Sequence, residues 1–125
     1  SLFFAGQAHH SKVLKSLSNS DLFVSTSVKE SYGISVAEAC SAGLPVLSLN
    51  TGDFSRWVKP NHNGYLIDPE DLQEIMSKLN DVIKNLSLLT HLKIAAKKHS
   101  SGIHFSTWEE SYLKFEKVCR TIYSK

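Results

Sequence analysis

Asp21 to Leu49 constrains the fold of this chain more than any other stretch. Asp21-Leu-Phe-Val-Ser25 is a short apolar run of strand type. Pro45-Val-Leu-Ser-Leu49 is a second, with its proline at the first position, where a strand tolerates it. Between them lie a glycine-bearing loop and a helix of small residues. Ser35 begins that helix with Glu38 three residues on, the pattern of a capping box, and Gly43 followed by Leu44-Pro45 ends it. A helix that opens from a loop at the end of a strand is a ready anion site, because its free N–H groups and dipole favour phosphate. Glu30 and Glu38, with seven residues between them, bracket the loop and the first turn. They are placed to hold the hydroxyls of whatever carries that phosphate.

The remainder alternates in the same way. Leu2-Phe-Phe-Ala5, closed by Gly6, reads as a buried strand, and Gln7 to Ser11 as a polar loop. Val13, Leu14 and Leu17 share one helical face that fades at Ser18-Asn19-Ser20. Thr51-Gly52-Asp53 is a turn, Phe54 to Lys59 a turn or two of helix, Asn63-Gly64 a second turn signal and Tyr65-Leu-Ile67 a strand. Asp68 as cap with Pro69 at the first helical position starts a helix carrying Leu72, Ile75, Met76, Leu79, Val82 and Ile83 as its stripe. Residues 88–99 continue as a helix that stops near Gly102. Phe105, Trp108, Tyr112, Phe115, Cys119 and Ile122 then mark a long amphipathic helix, with its aromatic residues read as core packing. Strands alternating with helices over residues 2–85 predict an α/β fold with a parallel sheet of about four strands, and 125 residues suffice for one domain.

Charge and cysteines narrow the partners. The formal charge of +2 is too small to point to nucleic acid. It is unevenly spread: residues 84–125 carry eight basic and three acidic side chains, net +5, and residues 1–83 carry six and nine, net −3. The basic segment reads as the solvated faces of two helices, with peripheral contact to an anionic membrane surface as the alternative. Cys40 and Cys119 form no CxxC pattern and read as buried, reduced thiols of a cytoplasmic protein. No metal site is expected: adjacent His9 and His10 cannot easily face one ion, and His91, His99 and His104 lack ligand spacing, so the histidines read as ordinary polar positions.

Glu30-Ser-Tyr-Gly-Ile-Ser-Val-Ala-Glu38, followed by Ala39-Cys-Ser-Ala-Gly-Leu-Pro-Val46, resembles the E-x7-E region of the large family of retaining glycosyltransferases of GT-B fold, the glycosyl transferases group 1. The resemblance runs through nearly the whole chain. Phe3-Phe-Ala-Gly6 is similar to the strand before the family's base-binding loop, and Asp21 to Ser27 to the strand leading to the first glutamate. Gly43-Leu-Pro-Val46 is similar to its G-x-P-V, Thr51-Gly52 to the turn that follows, and Asn63-Gly64-Tyr-Leu66 to its N/T-G-x-L strand.

The resemblance implies a Rossmann-like donor-binding portion from the C-terminal domain of such an enzyme. Glu30 would be the catalytic-site carboxylate that accepts hydrogen bonds from the donor sugar, beside the backbone of Ser31, Tyr32 and Gly33. Ile34, Ser35 and Val36 would face the diphosphate, Glu38 the ribose, and Gln7, Ala8 and His9 the base. The reaction implied is sugar transfer from a nucleotide-diphosphate sugar with retention, with no cofactor and usually no required metal.

Arg56 stands where the family usually has a glutamate, and Phe105-Ser-Thr-Trp108 carries one residue more than the family's F-S-W. The resemblance also implies that the N-terminal acceptor domain, the first two strands of this domain and a diphosphate-binding Arg and Lys are absent, so that the chain alone is inactive. Residues 2–5 would then pair directly with residues 21–25 or sit loosely at a sheet edge, and part of the last helix would be bare. Two other readings stand beside this one. One is a non-catalytic nucleotide-sugar-binding or interaction module completed by a separate partner chain. The other is a paired-carboxylate hydrolase, for which nothing beyond the two glutamates speaks.

Overall fold

A computed structural model describes residues 2–103 and 108–124. The sheet is built around β2 (Val46–Leu49), all four residues of which are buried. A strand with no polar face needs cover on both sides, which is the condition of a parallel sheet flanked by helices. β1 (Phe23–Ser25) and β3 (Gly64–Ile67) supply the two edges, in the order β1-β2-β3 with every pairing parallel. Phe23 pairs with Val46 and Val46 with Gly64, so one register runs across the sheet.

Side-chain alternation along β2 sends Val46 to one core and Leu47 and Leu49 to the other. On the first face Val46 packs with Val36, Ala37, Ala39 and Cys40 of α2 (Ile34–Ser41) and with Phe54 and Trp57 of the short α3 (Phe54–Trp57). On the second, Leu47, Leu49 and Ile67 meet Ile75 of α4 (Leu72–Lys84). α5 (Leu86–Ser100) follows α4 directly, with Asn85 as the C-cap of one and N-cap of the other. α1 (His10–Ser18) precedes the sheet and buries Leu17, and α6 (Trp108–Tyr123) closes the chain.

The α/β, Rossmann-like class is therefore the one read from the sequence, but the described sheet has three strands, not about four. Residues 2–5 form no strand, and Leu2, Phe3 and Phe4 are more than four-fifths exposed. An apolar run becomes a strand only where an edge receives it. α1 anchors to the core through Leu17 alone and does not hold the preceding residues against β1.

Helix boundaries follow their caps. α2 ends in a Schellman motif: Gly43, at φ +75°, donates its N–H to the Cys40 carbonyl, and Leu44 N–H reaches the Ala39 carbonyl. α4 starts three residues later than Asp68-Pro69 suggests. Asp68 Oδ1 accepts from Glu70 N–H in a local turn, and Asp71 is the cap, accepting from Glu74 N–H at 3.0 Å. The Asn63-Gly64 turn signal holds, residues 61–63 turning the chain into β3, and Asn63 braces that turn from inside. Asn63 is buried, accepts from Lys59 N–H at 2.6 Å and donates to the Trp57 carbonyl at 3.0 Å. Gly64 is needed for space, since a Cβ there would lie 1.9 Å from the Val46 carbonyl oxygen.

The start of the last helix at Phe105, with His104, lies outside the described residues. Within α6, Tyr112 and Phe115 are about two-thirds exposed, and Cys119 is only partly buried. Tyr112 and Phe115 are thus not core packing, nor is Cys119 a buried thiol.

Candidate functional site

In a parallel sheet the loops that leave the C-terminal ends of the strands gather along one edge, where open α/β sheets bind their ligands. Here these are residues 26–33, after β1, and 50–53, after β2. The second loop holds the first by its carbonyls. Thr51 Oγ1 donates to the Val28 carbonyl at 3.3 Å, Asp53 N–H to that of Ser31 at 2.9 Å, and Trp57 Nε1 to that of Tyr32 at 3.3 Å. The Trp57 ring also meets the Tyr32 ring edge-on at 5.5 Å. Gly52, at φ +52°, lets the loops close: a Cβ there would lie 2.2 Å from the Glu30 carbonyl oxygen.

With the carbonyls taken, the N–H groups are left. Among the described residues none accepts from the N–H of Ser31, Tyr32 or Gly33. α2 then opens at Ile34 with Gly33 as its N-cap at φ +74°, and its first intrahelical bond is Ala37 N–H to the Gly33 carbonyl. Among the described residues the N–H groups of Ile34, Ser35 and Val36 are therefore also unpaired, as at any helix start. Six successive N–H groups thus run through a left-handed residue into a helix N-terminus, the kind of backbone that can receive an anion.

The capping box does not form. Ser35 lies inside the helix, no side chain caps α2, and Gly33 takes the cap position because the Phe54 ring lies 2.2 Å from where its Cβ would be. Glu38 is freed from that task and sits in the second turn of α2.

Glu30 is exposed in the loop, and Ser27 Oγ donates to its Oε1 at 3.1 Å. Ser31, Tyr32, Ile34 and Ser35 are exposed, whereas Gly33 and Val36 are buried, so Gly33 and Val36 offer backbone only. Gln7, Ala8 and His9 line one shallow depression just before α1. The link between that loop and the helix is His10, whose Nε2 lies 2.5 Å from Glu38 Oε1. His10 reads as an ordinary polar position in the sequence, since nothing in a doubled histidine announces a partner 28 residues away. Trp57 and Phe54 were equally invisible as site residues; the Thr51-Gly52 turn was the one local sign that a second loop packs here. Arg56 has only a 3.7 Å ion pair with Asp53, both half-exposed, which contributes little. Among the described residues no group of three or more His, Cys, Asp or Glu gathers as a metal site.

The family model for glycosyl transferases group 1 matches residues 1–99, the whole of this site included. The chain belongs to that family. It is 31% identical over 103 residues to sucrose-phosphate synthase 4 of Arabidopsis thaliana, an alignment covering 79% of this chain and 9% of that protein. It is 27% identical over 92 residues to D-inositol 3-phosphate glycosyltransferase of Rhodococcus opacus (strain B4), covering 74% and 20%. The sucrose-phosphate synthase structure from Thermosynechococcus elongatus superposes with a TM-score of 0.77 at 21% identity, over 98% of this chain and 30% of that one. The fold is thus the one expected of a GT-B glycosyltransferase, and the chain spans a tenth to a fifth of the length of these curated relatives.

Proposed function

We propose that this chain is the donor-binding portion of a retaining glycosyltransferase, which transfers a sugar from a nucleotide-diphosphate sugar to an acceptor. One observation carries the reading: six unpaired N–H groups, from Ser31 to Val36, held in place by residues 51–57 and flanked by Glu30 and Glu38. A diphosphate would lie at Ile34 to Val36, where the helix dipole and N–H groups compensate its charge. The sugar would lie against Ser31 to Gly33, with the exposed Glu30 accepting from its hydroxyls. Glu38, an acceptor of two hydrogen bonds at once, would hold the ribose, and residues 7–9 the base.

In transfer the bond from the anomeric carbon to the diphosphate breaks, and one to the acceptor oxygen forms on the same face. The acceptor's proton leaves with the nucleoside diphosphate. Fixed N–H dipoles stabilise the charge that grows on the leaving group without reorganising. Binding is assigned to this chain, and transfer to the complete protein in which an acceptor domain faces the site.

Calorimetric titration of UDP, GDP and ADP and their sugars tests the reading. One nucleotide series is expected to bind, and Glu38→Ala is expected to weaken it by about tenfold or more, the scale of hydrogen bonds to a charged group. Unchanged binding in Glu38→Ala would remove the ribose assignment. Sugar transfer by the 125 residues alone would contradict the division between binding and transfer.

A further inference from the structure

We propose that His10 is a positioning residue for Glu38, and so sets how strongly the site reads the ribose hydroxyls. The inference rests on the donor-site reading above and adds a residue to it. His10 Nε2 lies 2.5 Å from Glu38 Oε1. A carboxylate oxygen accepts hydrogen bonds, so in this contact the ring donates through Nε2–H. With Oε1 engaged, rotation about the last side-chain bond of Glu38 is arrested and Oε2 is presented in one direction. A free glutamate would lose that rotational freedom only when the ligand arrives, and the loss would weaken binding.

Two features argue that the contact serves the site and not the fold. The His10 side chain is 67% exposed and that of Glu38 21%, and neither residue belongs to either core cluster. And His10 is the first residue of α1, directly after Gln7, Ala8 and His9. The bond therefore ties the loop assigned to the base to the carboxylate assigned to the ribose.

The test is a cycle between side chain and ligand, run by calorimetry on the full chain with the ribonucleoside diphosphate that binds best and its 2′,3′-dideoxy form. In the unaltered chain, loss of the hydroxyls is expected to weaken binding about tenfold. In Glu38→Gln that discrimination should largely vanish. In His10→Phe, which keeps a ring but no donor, it should shrink likewise, while affinity for the dideoxy nucleotide stays within about twofold of the unaltered chain. His10→Gln, whose amide can donate, should restore part of it. Discrimination undiminished in His10→Phe overturns the inference and leaves the donor site standing. Equal weakening of both nucleotides in His10→Phe also overturns it, since that is what a purely structural role produces. If the unaltered chain binds no nucleotide, the donor-site reading fails and this inference falls with it; if it binds both forms alike, the ribose assignment fails and takes this inference with it. Ring-nitrogen NMR checks the contact without ligand: the His10 Nε2 resonance should move in Glu38→Gln, and a resonance that stays put overturns the proposal.

Discussion

Gly33 and Cys40 show how single positions carry the site. Gly33 combines a left-handed backbone with the Phe54 ring where a side chain would begin. Gly33→Ala must therefore either shift the ring or abandon the conformation that opens α2, at a cost of about 2–4 kcal/mol for strain plus overpacking. Urea unfolding would show it as a lower midpoint with an unchanged slope. Cys40 lies on the buried face of the same helix, and burial pushes its thiol up to about 12 from an ordinary 9.0. The folded state thus holds this proton more tightly than the unfolded one. Its contribution to stability is complete below pH 9 and is lost as pH rises from there through about 12. Alkylation at pH 8 followed by mass spectrometry should label the partly exposed Cys119 and spare Cys40 until denaturant is added.

At the scale of elements, the helices stand on their caps as much as on their stripes. Asp71, and not the Asp68-Pro69 pair, satisfies the first turn of α4. Asp71→Ala is expected to cost about 1 kcal/mol, and Asp68→Ala less, as read by thermal unfolding of the two variants. α4 matters to the site only indirectly, since it covers the face of β2 opposite α2 through Ile75. The α2 side is where geometry and function coincide. The same Schellman turn that ends α2 returns the chain into β2, and β2 then delivers Thr51 and Gly52 to the loop they clamp.

For the molecule as a whole, the two cores are covered but several apolar surfaces are not. Leu2, Phe3 and Phe4 stand in solvent, as do Tyr112, Leu113, Phe115, Val118 and Ile122 along α6. β1 is a sheet edge, with Val24 more than one-third exposed. Apolar faces of this extent and an unpaired edge favour association. Sedimentation velocity is expected to show concentration-dependent self-association of the isolated chain, reduced by the pair Phe115→Lys and Ile122→Lys. A monomer unaffected by concentration would contradict this. No helix among the described residues is long and apolar enough to cross a membrane.

The strand–loop–helix–strand unit, its parallel pairing and the two glutamates were all legible in Asp21 to Leu49, because local signals decide them: apolar runs, a glycine stop, a proline at a strand start. Where the sequence misled, the deciding partner was distant. Whether Leu2 to Ala5 is a strand depends on an edge to receive it, and whether Ser35 or Gly33 caps α2 depends on the Phe54 ring. Glu38 meets His10 from 28 residues away, and the carbonyls of the 26–33 loop are taken up by residues 51–57. Sequence alone thus determined which groups this site has to offer. Tertiary structure decided which of them are left unpaired, because a hydrogen-bonding group is available to a ligand only when the fold has not already used it.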